Sequence, residues 1–110
     1  MPRAGPYVGR FAPSPTGALH FGSLVAALAG WLDARRAGGR WLLRMEDLDQ
    51  PRVIPGAADA ILRQLEAIGL DWDGPLVHQS ARLDRYAEAI RILHGRTYPC
   101  ACTRRELVDS

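Results

Sequence analysis

The sequence predicts an α/β protein built on a parallel, doubly wound sheet. Short apolar segments of strand length alternate along the 110 residues with longer segments whose apolar residues recur at helical spacing. Prolines and glycines separate these segments where a strand or a helix would end. The order strand, helix, strand, helix is typical of crossover connections between parallel strands. With 47% hydrophobic and 24% charged residues, the composition is that of one globular domain or part of one.

The first three elements are predicted from apolar runs and the residues that end them. Residues 7–12 are predicted to form a strand that ends at Pro13. Residues 23–37 are predicted to form a helix that ends at Gly38, because four apolar residues share one stripe. That stripe consists of Leu24, Leu28, Trp31 and Leu32. Residues 40–46 are predicted to form a second strand with an apolar middle and a polar end.

The rest of the chain continues the alternation. Residues 55–68 are predicted to form a helix, with a proline near its start and Gly69 as its stop. Its predicted inner face consists of Ile61, Leu62, Leu65 and Ile68. The remaining predicted elements are a strand at 76–78, a helix at about 81–93, an extended segment at 97–102 and the start of a helix at 104–108. The tryptophans, Trp31, Trp41 and Trp72, are expected in the core.

Polar residues follow the two predicted strands at the edge where ligands bind in open parallel sheets. The loop PSPTGALH follows the first strand, and EDLD follows the second. The first helix has no acidic residue in its opening turns, so its free N–H groups suit a phosphate. Thr16 and Gly17 favour a tight turn, and His20 is placed to donate a hydrogen bond to a phosphoryl oxygen. The alternative is an ordinary connection rich in proline and glycine, with a surface histidine.

Arg10 and Glu46 lie at the ends of the two predicted strands. If the strands are neighbours, these two side chains face one crevice beside the phosphate site. They could clamp a zwitterion, with the arginine on a carboxylate and the glutamate on an ammonium group. The alternative is a structural salt bridge between the two residues, and their spacing does not separate these interpretations.

Taken together, these residues resemble a known family. The pattern RFAPSPTG-x-LH-x-G, followed by RMEDLD, resembles the glutamyl branch of the class I aminoacyl-tRNA synthetases. Ser14 stands where the glutaminyl branch usually has a glutamate. The resemblance implies a Rossmann-like, HUP-type nucleotide-binding sheet, incomplete in this chain. It also implies that L-glutamate is activated with ATP and Mg²⁺ to glutamyl-adenylate.

The resemblance implies a role for individual residues. His20 would be the catalytic residue, as the signature histidine that stabilises the phosphate. ATP binding is implied for Pro13, Ser14, Pro15, Thr16, Gly17, His20, Gly22 and Ser23. Glutamate binding is implied for Arg10, Phe11, Ala12, Pro13, Ser14 and Glu46. Because a carboxylate attacks the α-phosphorus of ATP directly, no side-chain nucleophile is assigned.

Finer marks resemble one member of that branch. These marks are HFGSL, HQS, YPCACTRRE and the long stretch PRVIPGAADAILRQLEAIGLDWDG. That member transfers the activated glutamate to the queuosine base in the anticodon loop of tRNA(Asp). Two alternatives remain open: an ordinary glutamyl-tRNA synthetase that charges a tRNA 3′ end, and a non-catalytic remnant that binds ATP or glutamate.

The segment that contains the two cysteines, residues 96–110, marks a predicted boundary between two domains. Residues 1–95 are expected to form the first half of a catalytic domain, and residues 96–110 the start of a zinc-binding module. In the family, Cys100 and Cys102 would supply the first two ligands of a structural Zn²⁺, whereas an isolated C-x-C pair is more often two free thiols. The chain has no lysine, so the family's lysine-bearing KMSKS loop is not within it. We therefore expect a fragment of a longer enzyme, inactive by itself.

Charge and hydropathy exclude several other classes. A net charge of +2 is too small to indicate a nucleic-acid partner by itself. The amino terminus does not have the pattern of a secretory signal, and the longest nearly apolar run, residues 21–32, is too short to cross a membrane. Two closely spaced cysteines suit a reducing, cytoplasmic location. His78 and His94 are expected to be surface or packing residues.

Overall fold

A computed structural model describes residues 6–109, so the outer limits of the two predicted domains lie outside the described residues. The strands run parallel, as the sequence predicted, and their order in the sheet is β1-β2-β3. The elements are β1 (Val8–Phe11), α1 (Phe21–Arg36), β2 (Arg40–Met45), α2 (Ala57–Ala67), β3 (Val77–His78), α3 (Leu83–Ile92) and α4 (Arg104–Asp109). Short 3₁₀ turns cover Gln50–Arg52 and Gln79–Arg82. The predicted extended segment at 97–102 is neither helix nor strand.

The core lies between one face of the sheet and two helices. Alternate residues of β2 point into it, and Trp41 and Met45 are fully buried there. The helices add Ala27 and Ala34 from α1, and Ile61 and Leu65 from α2. Both crossover helices therefore cover the same face of the sheet, which is the arrangement of one half of a doubly wound fold.

The predicted inner stripe of α1 is wrong in part. Leu28 and Leu32 are 44% and 52% exposed, and the residues that α1 buries are instead Ala27 and Ala34. The reason is that α1 packs on Trp41: a Cβ at Gly30 would already be in van der Waals contact with that ring, 3.4 Å from its Nε1. Small side chains let the helix approach that large ring, so the larger ones point outward. Ile68, predicted on the inner face of α2, is also exposed because α2 ends at Ala67.

Of the three tryptophans, Trp41 is fully buried, and Trp31 and Trp72 are partly buried against the core. None of the helices within residues 6–109 combines the length and hydropathy needed to cross a bilayer.

A tight approach at the α1–β2 connection sets the position of β1 against β2. The N–H of Arg40 donates to the carbonyl of Tyr7 at 3.0 Å, where the pairing of the two strands begins with Val8 and Arg40. A Cβ at Gly39 would lie 2.2 Å from the Tyr7 carbonyl oxygen, so glycine is required for this approach. Nearby, Asp73 accepts hydrogen bonds from Arg35 and from the N–H of Trp41, and the Arg35 bond holds the pKa of Asp73 below its usual value.

Candidate active site

The loop of residues 13–20 joins β1 to α1 and is held by its prolines. Pro13 and Pro15 are buried, whereas Ser14 and Thr16 between and after them are exposed. The N–H of Glu46 donates to the Pro13 carbonyl at 2.8 Å, and a second main-chain bond reaches the Pro15 carbonyl from Ile54 at 3.0 Å. The prolines thus anchor the loop inward and present the polar side chains outward. Gly17 follows with a φ of 151°, a conformation that favours glycine.

The His20 imidazole caps α1. His20 is the N-cap residue, and its Nδ1 accepts a hydrogen bond from the N–H of Ser23 at 3.3 Å. Its Nε2 lies 3.0 Å from the Ser23 Oγ. Because Nδ1 accepts, the neutral ring carries its proton on Nε2, which donates to that hydroxyl. A Cβ at Gly22 would lie 3.2 Å from the ring, so glycine leaves room for the imidazole.

A cavity of about 340 Å³ opens between the loop and the start of α1, and we call it the loop cavity. Its volume is within the range of small-molecule sites. Six of the eight predicted ATP-binding residues line it: Pro13, Ser14, Thr16, Gly17, His20 and Ser23. The other two, Pro15 and Gly22, are not among its lining residues. The first turn of α1 beside it carries no acidic side chain, as the sequence indicated.

The predicted glutamate-binding residues divide between two cavities. Phe11, Ala12, Pro13 and Ser14 line the loop cavity. Arg10 lies instead in a cavity of about 330 Å³ on the other face of the sheet, which we call the arginine-lined cavity. Its four arginines are Arg10, Arg40, Arg44 and Arg82. Phe11 also packs on the core, where its ring stacks on Trp41 with centroids 6.0 Å apart.

Arg10 and Glu46 lie on the same side of the sheet. Arg10 pairs in register with Leu42, which has the same orientation along β2 as Arg44. Glu46, directly after β2, is 3.9 Å from the Arg44 guanidinium. No ion pair joins Arg10 to Glu46 within residues 6–109, so the alternative of a structural salt bridge between them is not found there. Arg10 itself is exposed.

A hydrogen-bonded cluster around Asp47 was missed by the sequence interpretation. The Asp47 carboxylate accepts from the Ser80 N–H at 2.8 Å and from the Ser80 hydroxyl at 2.7 Å. Nδ1 of His78 lies 3.4 Å from the same carboxylate, which is only 14% exposed. Burial alone would raise the pKa of Asp47, but the Ser80 hydrogen bonds outweigh burial and hold that pKa below its usual value.

This cluster joins the segment after β2 to the segment after β3, next to Glu46. His78 is therefore not a simple surface residue. The sequence signals for the cluster are EDLD, which contains Asp47, and HQS, which contains His78 and Ser80, but nothing in the sequence pairs the two stretches.

The cysteine segment gives no metal centre among the described residues. Cys100 and Cys102 are both exposed free thiols. Within residues 6–109, no group of three or more histidine, cysteine, aspartate or glutamate side chains is arranged to hold a metal ion. Two thiolates are half of the ligand set of a structural zinc site. The zinc assignment therefore stays a prediction.

The fold and the loop motif together define a class. Residues 7–110 match the family described as tRNA synthetases class I (E and Q), catalytic domain, and the chain belongs to this family. More particularly, the chain is 63% identical over 107 residues to the glutamyl-Q tRNA(Asp) synthetase of Dechloromonas aromatica, covering 96% of this chain and 36% of that protein. It is 67% identical over 105 residues to the glutamyl-Q tRNA(Asp) synthetase of Thiobacillus denitrificans, covering 94% of this chain and 35% of that protein.

Solved structures agree with this assignment of the fold. The chain superposes with a TM-score of 0.70 and 39% identity on a glutamate tRNA ligase from Elizabethkingia meningosepticum in complex with its amino acid, over 93% of this chain and 22% of that one. The glutamate-tRNA synthetase from Elizabethkingia anophelis gives a TM-score of 0.73 and 38% identity, over 96% of this chain and 23% of that one. The chain spans about a third of the length of the curated relatives that it matches.

Proposed function

We propose that this chain is part of a longer enzyme that activates L-glutamate with ATP and transfers it to the queuosine base of tRNA(Asp). The observation that carries the proposal is the loop cavity, in which the family motif surrounds the start of α1. Identities of 63% and 67% to proteins named for this reaction support the choice of acceptor.

The loop cavity suits the triphosphate of ATP. The start of α1 directs N–H groups and the positive end of the helix dipole into it, and no acidic side chain opposes an anion there. In the free protein, His20 donates its Nε2 proton to Ser23. A phosphoryl oxygen could replace that hydroxyl as the acceptor. His20 would then stabilise the charge that develops on the α-phosphate. Mg²⁺ would arrive with the nucleotide as part of the substrate.

Glutamate would bind at the edge of the sheet between Arg10 and Glu46. These residues lie on one side of the sheet and are not paired with each other. Glu46 has only a long ion pair of 3.9 Å with Arg44, so an ammonium group could still reach its carboxylate, and the exposed Arg10 could bind a carboxylate. The α-carboxylate oxygen would then attack the α-phosphorus, and the bond to the bridging oxygen would break to release pyrophosphate. The protein's contribution is alignment and charge stabilisation.

A structural Zn²⁺ is the second part of the proposal. Cys100 and Cys102 are exposed thiols one residue apart, which fits two of the four ligands that such a site needs. The other two ligands would come from outside the described residues. We expect the complete gene product to contain zinc and Cys100→Ser to lose it, measured by metal analysis of the purified protein. Zinc retained at the wild-type level in Cys100→Ser would refute this assignment.

We also propose that the protein is located in the cytoplasm, where the reducing environment keeps thiols free.

Glutamate-dependent ATP–pyrophosphate exchange by the complete gene product tests the activation step. We expect exchange without any tRNA, and its loss in Arg10→Ala. Binding of ATP and glutamate without exchange would instead support a non-catalytic remnant. That result would refute the proposal.

The acceptor needs a separate experiment, because the similarity to glutamate tRNA ligases favours an ordinary glutamyl-tRNA synthetase as the second candidate. Labelled glutamate should attach to tRNA(Asp) that carries queuosine and not to the same tRNA without it. Nuclease digestion then locates the label. We expect it in the anticodon stem-loop, and label at the 3′ end would favour the second candidate.

A further inference from the structure

We propose that Gln64 is a positioning residue, which holds the loop of residues 13–20 so that His20 meets the α-phosphate of ATP. This inference rests on the proposed function. Gln64 lies on α2, away from the loop in sequence, and it is not one of the predicted site residues. Its side-chain amide bonds twice to the main chain of Leu19, the residue directly before His20.

The two hydrogen bonds fix both peptide groups that precede His20. Oε1 of Gln64 accepts from the N–H of Leu19 at 2.8 Å, which holds the peptide between Ala18 and Leu19. Nε2 of Gln64 donates to the carbonyl oxygen of Leu19 at 3.2 Å, which holds the peptide between Leu19 and His20. Both bonds are partly buried, so water competes with them less than at an exposed site. Position and orientation of the backbone are thereby set together.

The anchor itself is rigid. Ile61 and Leu65, on the same helix as Gln64, are fully buried in the core. The Gln64 amide therefore holds the loop at a fixed position relative to the core of the domain. The main-chain bonds described above hold the loop at Pro13 and Pro15, in its first half. The second half is open at Gly17, where an added Cβ would meet nothing within 4 Å. The Gln64 amide fixes the end of this half at Leu19, next to the capping bonds that His20 makes with α1.

Loss of the amide should act on catalysis more than on glutamate binding. Without Gln64 the second half of the loop can shift, and a catalytic group misplaced by ~1 Å can cost on the order of 10²-fold in rate. Arg10 and Glu46 lie outside the loop, and the main-chain bonds at Pro13 and Pro15 hold its first half without Gln64, so the KM for glutamate should not change. A role limited to stability would lower the fraction of folded protein and leave kcat per active site as it was.

The test compares three variants of the complete gene product in ATP–pyrophosphate exchange, with active sites titrated. Gln64→Met keeps the length and removes both hydrogen bonds. Gln64→Glu keeps an acceptor for the Leu19 N–H but sets a carboxylate against the Leu19 carbonyl. Arg63→Ala, on the exposed side of the same helix turn, is the matched control. We expect kcat to fall roughly tenfold or more in both Gln64 variants, with the KM for glutamate and the Arg63→Ala control unchanged.

Combination with His20→Ala completes the test. If Gln64 acts through His20, then Gln64→Met should have no further effect once the imidazole is absent. Wild-type kcat per active site in Gln64→Met, or an undiminished effect in the His20→Ala background, would overturn the inference. A wild-type protein without exchange activity would refute the proposed function instead, so the two failures are distinguishable.

Discussion

Gly22→Ala is expected to slow glutamate activation while leaving stability nearly unchanged. A Cβ at Gly22 would lie 3.2 Å from both Cε1 and Nδ1 of His20, which is tighter than most real contacts. The imidazole must yield by a few tenths of an ångström. Its Nδ1 is already 3.3 Å from the Ser23 nitrogen, so a small shift breaks the capping hydrogen bond.

The effects on stability oppose each other. Loss of a side-chain cap costs about 1 kcal/mol. Replacement of glycine by alanine in a helix gains up to about 1 kcal/mol. The two nearly cancel, so the melting temperature should stay close to that of the wild type. The effect on rate has no such compensation. Since ~1 Å of misplacement costs about 10²-fold, a shift of a few tenths of an ångström should cost roughly tenfold in kcat.

The assay is ATP–pyrophosphate exchange by the complete gene product, together with thermal denaturation. Gly30→Ala is the matched control, because it adds the same methyl group to the same helix at an ordinary distance of 3.4 Å from Trp41. That variant should keep its activity. Wild-type activity in Gly22→Ala would refute the reasoning. So would a loss of the same size when Gly22→Ala is combined with His20→Ala, since the displaced imidazole would then not be the cause.

Three further predictions concern stability and activity of the chain. Asp47→Asn should lower the free energy of unfolding in urea by about 1–2 kcal/mol at pH 7, because it weakens the charge-assisted bonds from Ser80. Because folding lowers the pKa of Asp47, this stabilisation is fully present at pH values above the unfolded pKa of about 3.9. It is lost as the pH falls through the folded pKa. The difference from wild type should therefore vanish in acid, and persistence there would contradict the assignment. Asp49→Asn, at an exposed ion pair, is its control. Gly39→Ala should cost about 1–3 kcal/mol in the same assay, since its Cβ would overlap the Tyr7 carbonyl, and unchanged stability would refute that contact. The 110 residues alone should show no pyrophosphate exchange. They should also self-associate in light scattering, because β1 is an edge strand of the sheet formed by residues 6–109 and α1 exposes leucines; an active monomer would contradict this prediction.

The sheet and the loop could be predicted from sequence because local chemistry determines them. Pro13 predicts the end of β1 to within two residues, since the strand ends at Phe11, and the parallel direction of the strands follows from the alternation of elements. The loop residues could also be grouped as one site, because parallel strands bring their carboxyl ends to one edge. Of the eight residues predicted to bind ATP, six line the same cavity.

What could not be predicted depends on contacts between distant parts of the chain. The Gln64 amide reaches Leu19 across 45 positions, and Ser80 reaches Asp47 across 33. No periodicity in the sequence identifies such pairs. The buried face of α1 was missed for a different reason. That helix is apolar on two sides, and the close approach to Trp41 selects the side with small residues, which only the packed structure determines.

The most direct measurement is a crystal structure of the complete gene product with a non-hydrolysable ATP analogue. We expect the triphosphate in the loop cavity, with oxygens at hydrogen-bonding distance from His20 and from the first turn of α1. Phosphates seated in the arginine-lined cavity instead, with the start of α1 untouched, would contradict the account.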